Sequence, residues 1–202
     1  MIKARSVCRN FITRLQVRHR NWNVNYDILI NMMSEQDFWH IVETSLEKNV
    51  TVGSIEQDEA LIRILETKSI DELVGFQLRL LELRSELFSK HIHLVAEQLD
   101  YTTHPDVLNR FKNGIIASGK AFYYNAKDDT EFLNSLLKNN VEALRNCYYE
   151  GFSLVAPAAF HELTDYKESW DRALLKAKRE MEIKQMKVER DKNRDIDNFL
   201  PF

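Results

Sequence analysis

Apolar positions recur with helical spacing along most of this chain, most clearly between Ser69 and Leu99. Leu73, Leu80, Leu87 and Leu94 fall at every seventh residue, and Val74, Leu81, Phe88 and Val95 follow one position on. That spacing lays two adjacent apolar rows on one side of a helix. Phe76, Leu78, Leu83 and Ile92 widen the arc, which calls for neighbours on more than one side. No Pro and a single Gly, Gly75, interrupt the stretch, and Ser69 with Glu72 forms a capping box at its start. The pattern predicts one long, largely buried helix over about 69–99, the axis of a helical domain.

Shorter elements flank it. Ser34, with Asp37 three residues on, caps a first helix carrying Phe38, Ile41, Val42 and Leu46. A loop at Val52-Gly53 leads to a second helix, starting at Ser54 or Ile55, with Leu61, Ile62 and Leu65 on its buried side. Pro105 suits a first helical position, and Val107, Leu108, Phe111, Ile115 and Ile116 follow as far as a C-cap at Gly119. Phe132, Leu133, Leu136 and Leu137 mark a short helix. Val141, Leu144, Tyr148, Phe152, Val155, Ala159 and Leu163 keep helical phase across Pro157, which predicts one kinked helix. Asp165 with Glu168 caps a last helix whose stripe is Tyr166, Trp170, Leu174, Ala177 and Met181. Beyond Met181 the stripe thins into charge. The class is all-α: a single irregular bundle around the axial helix, with a charged C-terminal helix.

Composition agrees. Of 202 residues 44% are apolar, enough for a sizeable core, while 5 Gly and 3 Pro leave little material for β-turns. No apolar run approaches the roughly 18 residues that cross a bilayer. Two cysteines, Cys8 and Cys147, make neither a disulfide framework nor a metal knot, and a reducing cytoplasm is expected. Charge is uneven. Residues 1–32 hold six Lys/Arg against one acid, whereas residues 33–166 hold 12 bases against 22 acids. The acidic body repels a phosphate backbone, so nucleic-acid binding through the basic N-terminal arm is the weaker reading. Three segments follow: a basic extension over 1–32, disordered or outside the domain, with targeting as a further reading; a helical domain over 33–165; and a charged helix with an apolar tail over 166–202.

The motifs DFWHIVETS, LVGFQLRLLELRSELF, FKNGIIASGKAFYYNA and YYEGFSLVAPAAFHELT, in that order, resemble the bacterial family catalogued as domain of unknown function 4240, over about 34–164. Phe38-Trp39 matches the family's opening pair and Phe76 its internal phenylalanine. Phe111-Lys112, Ile115-Ile116, Gly119-Lys120 and Tyr123 follow a later block in which members pair Phe with Arg. The family commonly has Trp where this chain has Gly114, and its acidic turn is reduced here to His104-Pro105-Asp106. The resemblance implies a domain starting near Ser34 and assigns no activity.

Candidate chemistry is sparse. His161, Glu162 and Asp165 fall one residue short of a zincin motif and lie at a predicted helix boundary, so no metal is expected. His91 and His93 point about 200° apart on a helix and cannot grip one ion together. No cofactor motif is present. Lys120, Tyr123 and Tyr124 form one aromatic-plus-base patch, and Arg145, Tyr148, Tyr149 and Glu150 a second; Tyr and Arg are residues that dominate interfaces. Phe199, Leu200 and Phe202 end the chain with bulky apolar groups that dock on the domain, a partner or a second copy. The expected function is a non-catalytic protein–protein interaction or regulatory module. The alternatives are an enzyme or small-ligand binder that acts on an anionic metabolite through the Lys/Arg/Tyr patch, and a nucleic-acid binder.

Overall fold

The computed structural model describes residues 32–101 and 104–198, with the backbone alone at 185 and 188–198. Ten α-helices run through these residues: α1 (Glu35–Ser45), α2 (Ile55–Leu65), α3 (Ile70–Glu86), α4 (Lys90–Gln98), α5 (Pro105–Ala117), α6 (Lys120–Asp128), α7 (Thr130–Asn139), α8 (Val141–Arg145), α9 (Val155–Leu163) and α10 (Trp170–Asn198). Short 3-10 turns sit at Glu47–Asn49 and Gly151–Ser153, and there is no strand among the described residues. The fold is all-α.

The axis is α3, which packs against α1, α5, α9 and α10. Its capping box forms as the sequence predicts, with Ser69 accepting from the Glu72 N–H and Glu72 accepting from the Ser69 N–H. Leu73, Val74, Phe76, Leu80 and Leu83 are buried around it. Met33 ties the segment before α1 to this axis: its N–H donates to the Gly75 carbonyl at 3.1 Å, and Arg79 donates to its carbonyl at 2.9 Å.

The single helix expected over 69–99 is two. Helix α3 stops at Glu86, Leu87 has φ −75 and ψ 38, and Ser89 caps α4 by accepting from the Ile92 N–H. A serine whose hydroxyl takes a backbone N–H offers the chain an alternative to continuing the helix. The break resets the phase of the apolar rows. Leu73, Leu80 and Leu87 are fully buried, but Leu94 is 45% exposed and Phe88 is 88% exposed. Helix α4 turns Ile92, Val95 and Ala96 to the core instead.

Two further expectations are corrected. The kinked helix across Pro157 is split: α8 ends at Arg145, and Pro157 lies in the first turn of a separate α9, where a missing N–H costs nothing. The last helix is capped by Ser169, which accepts from the Arg172 N–H, and not by Asp165. Asp165 and Tyr166 instead take positive φ (49 and 58) and reverse the chain before α10.

Gly114 is forced by packing. A Cβ there would lie 1.8 Å from the Cys147 carbonyl oxygen, so α5 and the segment after α8 meet backbone to backbone. A Trp has no room at this position.

Candidate functional site

The two sequence-predicted patches lie on different elements and are largely turned inward. On α6, Tyr123 is buried and donates to the Leu83 carbonyl at 3.1 Å and to Glu86 at 3.0 Å. Tyr124 donates to Glu35 at 2.6 Å, and Glu35 also accepts from the Trp39 indole N–H at 2.9 Å. Lys127 pairs with Glu86 at 2.6 Å, and its ammonium stands 5.8 Å from the Tyr123 ring centroid and 5.7 Å from that of Tyr124. These donors hold the Glu35 and Glu86 carboxyls below the usual range. The same bond to Glu35 pushes the Tyr124 phenol up to about 12. Tyr123 and Tyr124 therefore latch α6 to α3 and α1. Lys120 alone of this patch is exposed.

The second patch divides in the same way. Tyr149 is buried and donates to Asp58 on α2 at 2.5 Å. Tyr148 is 37% exposed, with its ring against Tyr101, its oxygen accepting from Arg110, and the Arg110 guanidinium over its face. Arg110 also pairs with Glu150 at 2.7 Å. Arg145 is exposed and bonded to Glu142 on its own helix. Tyr123 and Tyr149 are thus buried in the core, and each hydroxyl reaches an acid on a different element. Phe199, Leu200 and Phe202 lie outside the described residues.

His161 is buried, and its ring stacks on Tyr166 with an interplanar angle of 9°. Burial holds its pKa below the ordinary histidine range. Asp165 is past the end of α9 with positive φ, so it does not share the face of His161. Among the described residues no group of three or more His, Cys, Asp or Glu side chains is arranged to hold a metal ion. The Cys147 thiol is buried, and desolvation pushes its pKa up to about 12. His91 donates from Nε2 to the Ala126 carbonyl, 2.8 Å away, a link between α4 and α6.

Two features went unread in the sequence. The first is the outer face of α10. Trp170 and Ala177 are buried against the domain and Leu174 and Met181 are half-buried, while Leu175, Ile183 and Met186 are 49%, 49% and 58% exposed. At 100° per residue these three cluster within about 80°, nearly opposite the seated face. The second is a cationic pair beneath the α3–α4 break, Arg84 and Lys112. A base within the wide apolar arc of α3, and a second base in the Phe111-Lys112 pair, were its signals.

The chain matches the model of a family described as a protein of unknown function, DUF4240, over residues 33–162. It belongs to that family. No curated protein and no solved structure matches it. The DUF4240 segment takes in the tyrosine latches, the Asp58–Tyr149 bond and the cationic pair; helix α10 follows it.

Proposed function

We propose that this DUF4240 protein is a non-catalytic protein–protein interaction module of the bacterial cytoplasm, with the outer face of α10 as its contact surface. One observation carries the reading: α10 is apolar on two opposite sides, and among the described residues only one of them is covered. Twenty-nine residues make a helix about 43 Å long, ample for an apolar face to lie in a partner's groove. Leu175, Ile183 and Met186, spaced i, i+8, i+11, have the register by which an amphipathic helix docks. No helix among the described residues is long and apolar enough to cross a membrane, so the exposed apolar groups on α10 are read as a docking face and not as part of a span. The inward pairing of Tyr123, Tyr124 and Tyr149 supports contact through α10 and not through those patches.

The test is affinity capture of the tagged full chain from its host, with sedimentation of the purified protein alongside. Leu175→Asp and Met186→Asp should each abolish the captured partner while leaving the melting temperature unchanged. A purified dimer that becomes monomeric in these variants would assign the face to a second copy. Capture and mass unaffected by both substitutions would remove α10 as the contact surface.

A further inference from the structure

Lys112 on α5 is 8% exposed, and Arg84, half-buried on the α3 helix that packs against α5, is near enough for the two charges to repel. Neither side chain makes an ion pair or a hydrogen bond among the described residues. The ammonium of Lys112 stands 5.7 Å from the centroid of the Phe88 ring, and Phe88, at the break between α3 and α4, is 88% exposed. Burial and then the like charge of Arg84 hold Lys112 below the ordinary lysine range, and burial lowers Arg84 as well. Two cations held close together and partly desolvated, with no facing carboxylate among the described residues, form a positively charged spot that favours an anion reaching it from solvent. Other half-buried bases of this protein are completed internally: Arg79 by Glu82 and the Met33 carbonyl, Arg110 by Glu150, Lys127 by Glu86.

The geometry points to a binding site for a small phosphate monoester, its phosphate between Arg84 and Lys112 and its organic part on the open face of Phe88. A phosphate monoester carries about −1.5 to −2 charges at neutral pH, which balances two cations where one carboxylate balances half. The guanidinium can take two phosphate oxygens in a fork, and the ammonium can serve as a point charge. An exposed aromatic ring that already borders a cation supplies a flat apolar surface for an aromatic or heterocyclic ester group. The break that ends α3 at Glu86 is what puts that ring at the mouth of the pair instead of in the core.

The experiment is titration of the full chain with phenyl phosphate and, separately, with inorganic phosphate, followed by calorimetry and melting temperature. Arg84→Met and Lys112→Met should each weaken phenyl phosphate roughly 10- to 100-fold, as expected for a lost charge-assisted hydrogen bond. Phe88→Ala should weaken phenyl phosphate and leave inorganic phosphate unchanged. Lys112→Arg, which keeps the charge, should retain binding and so guards against a merely structural effect of Lys112→Met. Arg63→Met, at an exposed base paired with Glu59, serves as the control and should bind as the parent does. No calorimetric binding of phenyl phosphate at millimolar concentration, or equal loss in the Arg63 control, overturns the site. Phenyl phosphate no tighter than inorganic phosphate overturns the role given to Phe88.

Discussion

The Tyr149 hydroxyl donates to the Asp58 carboxylate at 2.5 Å, across 91 residues of sequence. The carboxylate is also crowded from the other side, since a Cβ on Gly151 would come within 2.5 Å of it. This bond joins α2 to the segment that leads into α9, the two helices being neighbours in the core. Tyr149→Phe leaves a half-buried acid without its donor and should cost about 1–3 kcal/mol in denaturant unfolding. A cost within experimental error would show that water replaces the hydroxyl.

The same acid gives a pH dependence of known sign. Burial raises the Asp58 pKa above its ordinary value of 3.8, with the Tyr149 bond opposing the rise. The native state therefore holds the proton more tightly than the unfolded chain. The associated stability is fully present below about pH 3.8 and is lost as pH rises through the folded value. Asp58→Asn keeps an acceptor for Tyr149 without the charge. Its melting temperature at pH 7 should equal or exceed that of the parent, and a large fall would mean that the carboxylate charge itself is needed.

Glu35 runs the other way. Hydrogen bonds from Tyr124 and then Trp39 hold its pKa below 4.5. Its contribution is present above about pH 4.5 and disappears as pH falls through the folded value. Melting curves of Tyr124→Phe between pH 3 and pH 7 should approach those of the parent at the acid end. Parallel curves throughout would show that Glu35 is not the titrating group.

Gly114→Ala forces α5 away from the backbone at Cys147, because the contact at 1.8 Å involves no flexible side chain. Overpacking of this kind costs about 1–3 kcal/mol or more. An unchanged unfolding midpoint would mean that the segment around Cys147 moves aside freely.

Leu87 is fully buried although it sits at the helix break. Leu87→Ala should cost roughly 2–5 kcal/mol by loss of burial and by the cavity left behind. Ser89→Ala, removing the cap of α4, should cost about 1 kcal/mol, and a gain instead would mean that α3 and α4 fuse.

The sequence by itself determined the helical class, the axial position of residues 70–86 and the caps at Ser34, Ser54 and Ser69, because apolar period and capping chemistry are local properties. It did not show that the axis stops at Glu86. The heptad rows run on unbroken through Phe88 and Leu94, and only the packing of Ile92, Val95 and Ala96 on the core makes a reset of phase more favourable than continuing. Periodicity likewise ran through Pro157, where the backbone between α8 and α9 is committed instead to the close contact of Cys147 with Gly114 and to the Tyr149 bond. The tyrosines could be read as surface or as core from their neighbours in sequence. Which one holds depends on acids 37, 89 and 91 residues away, Glu86, Glu35 and Asp58, and a side chain's distant partner has no periodic signature. The exposed face of α10 was decided by which side of that helix the described residues leave uncovered, and the closeness of Arg84 to Lys112 by the packing of α3 on α5.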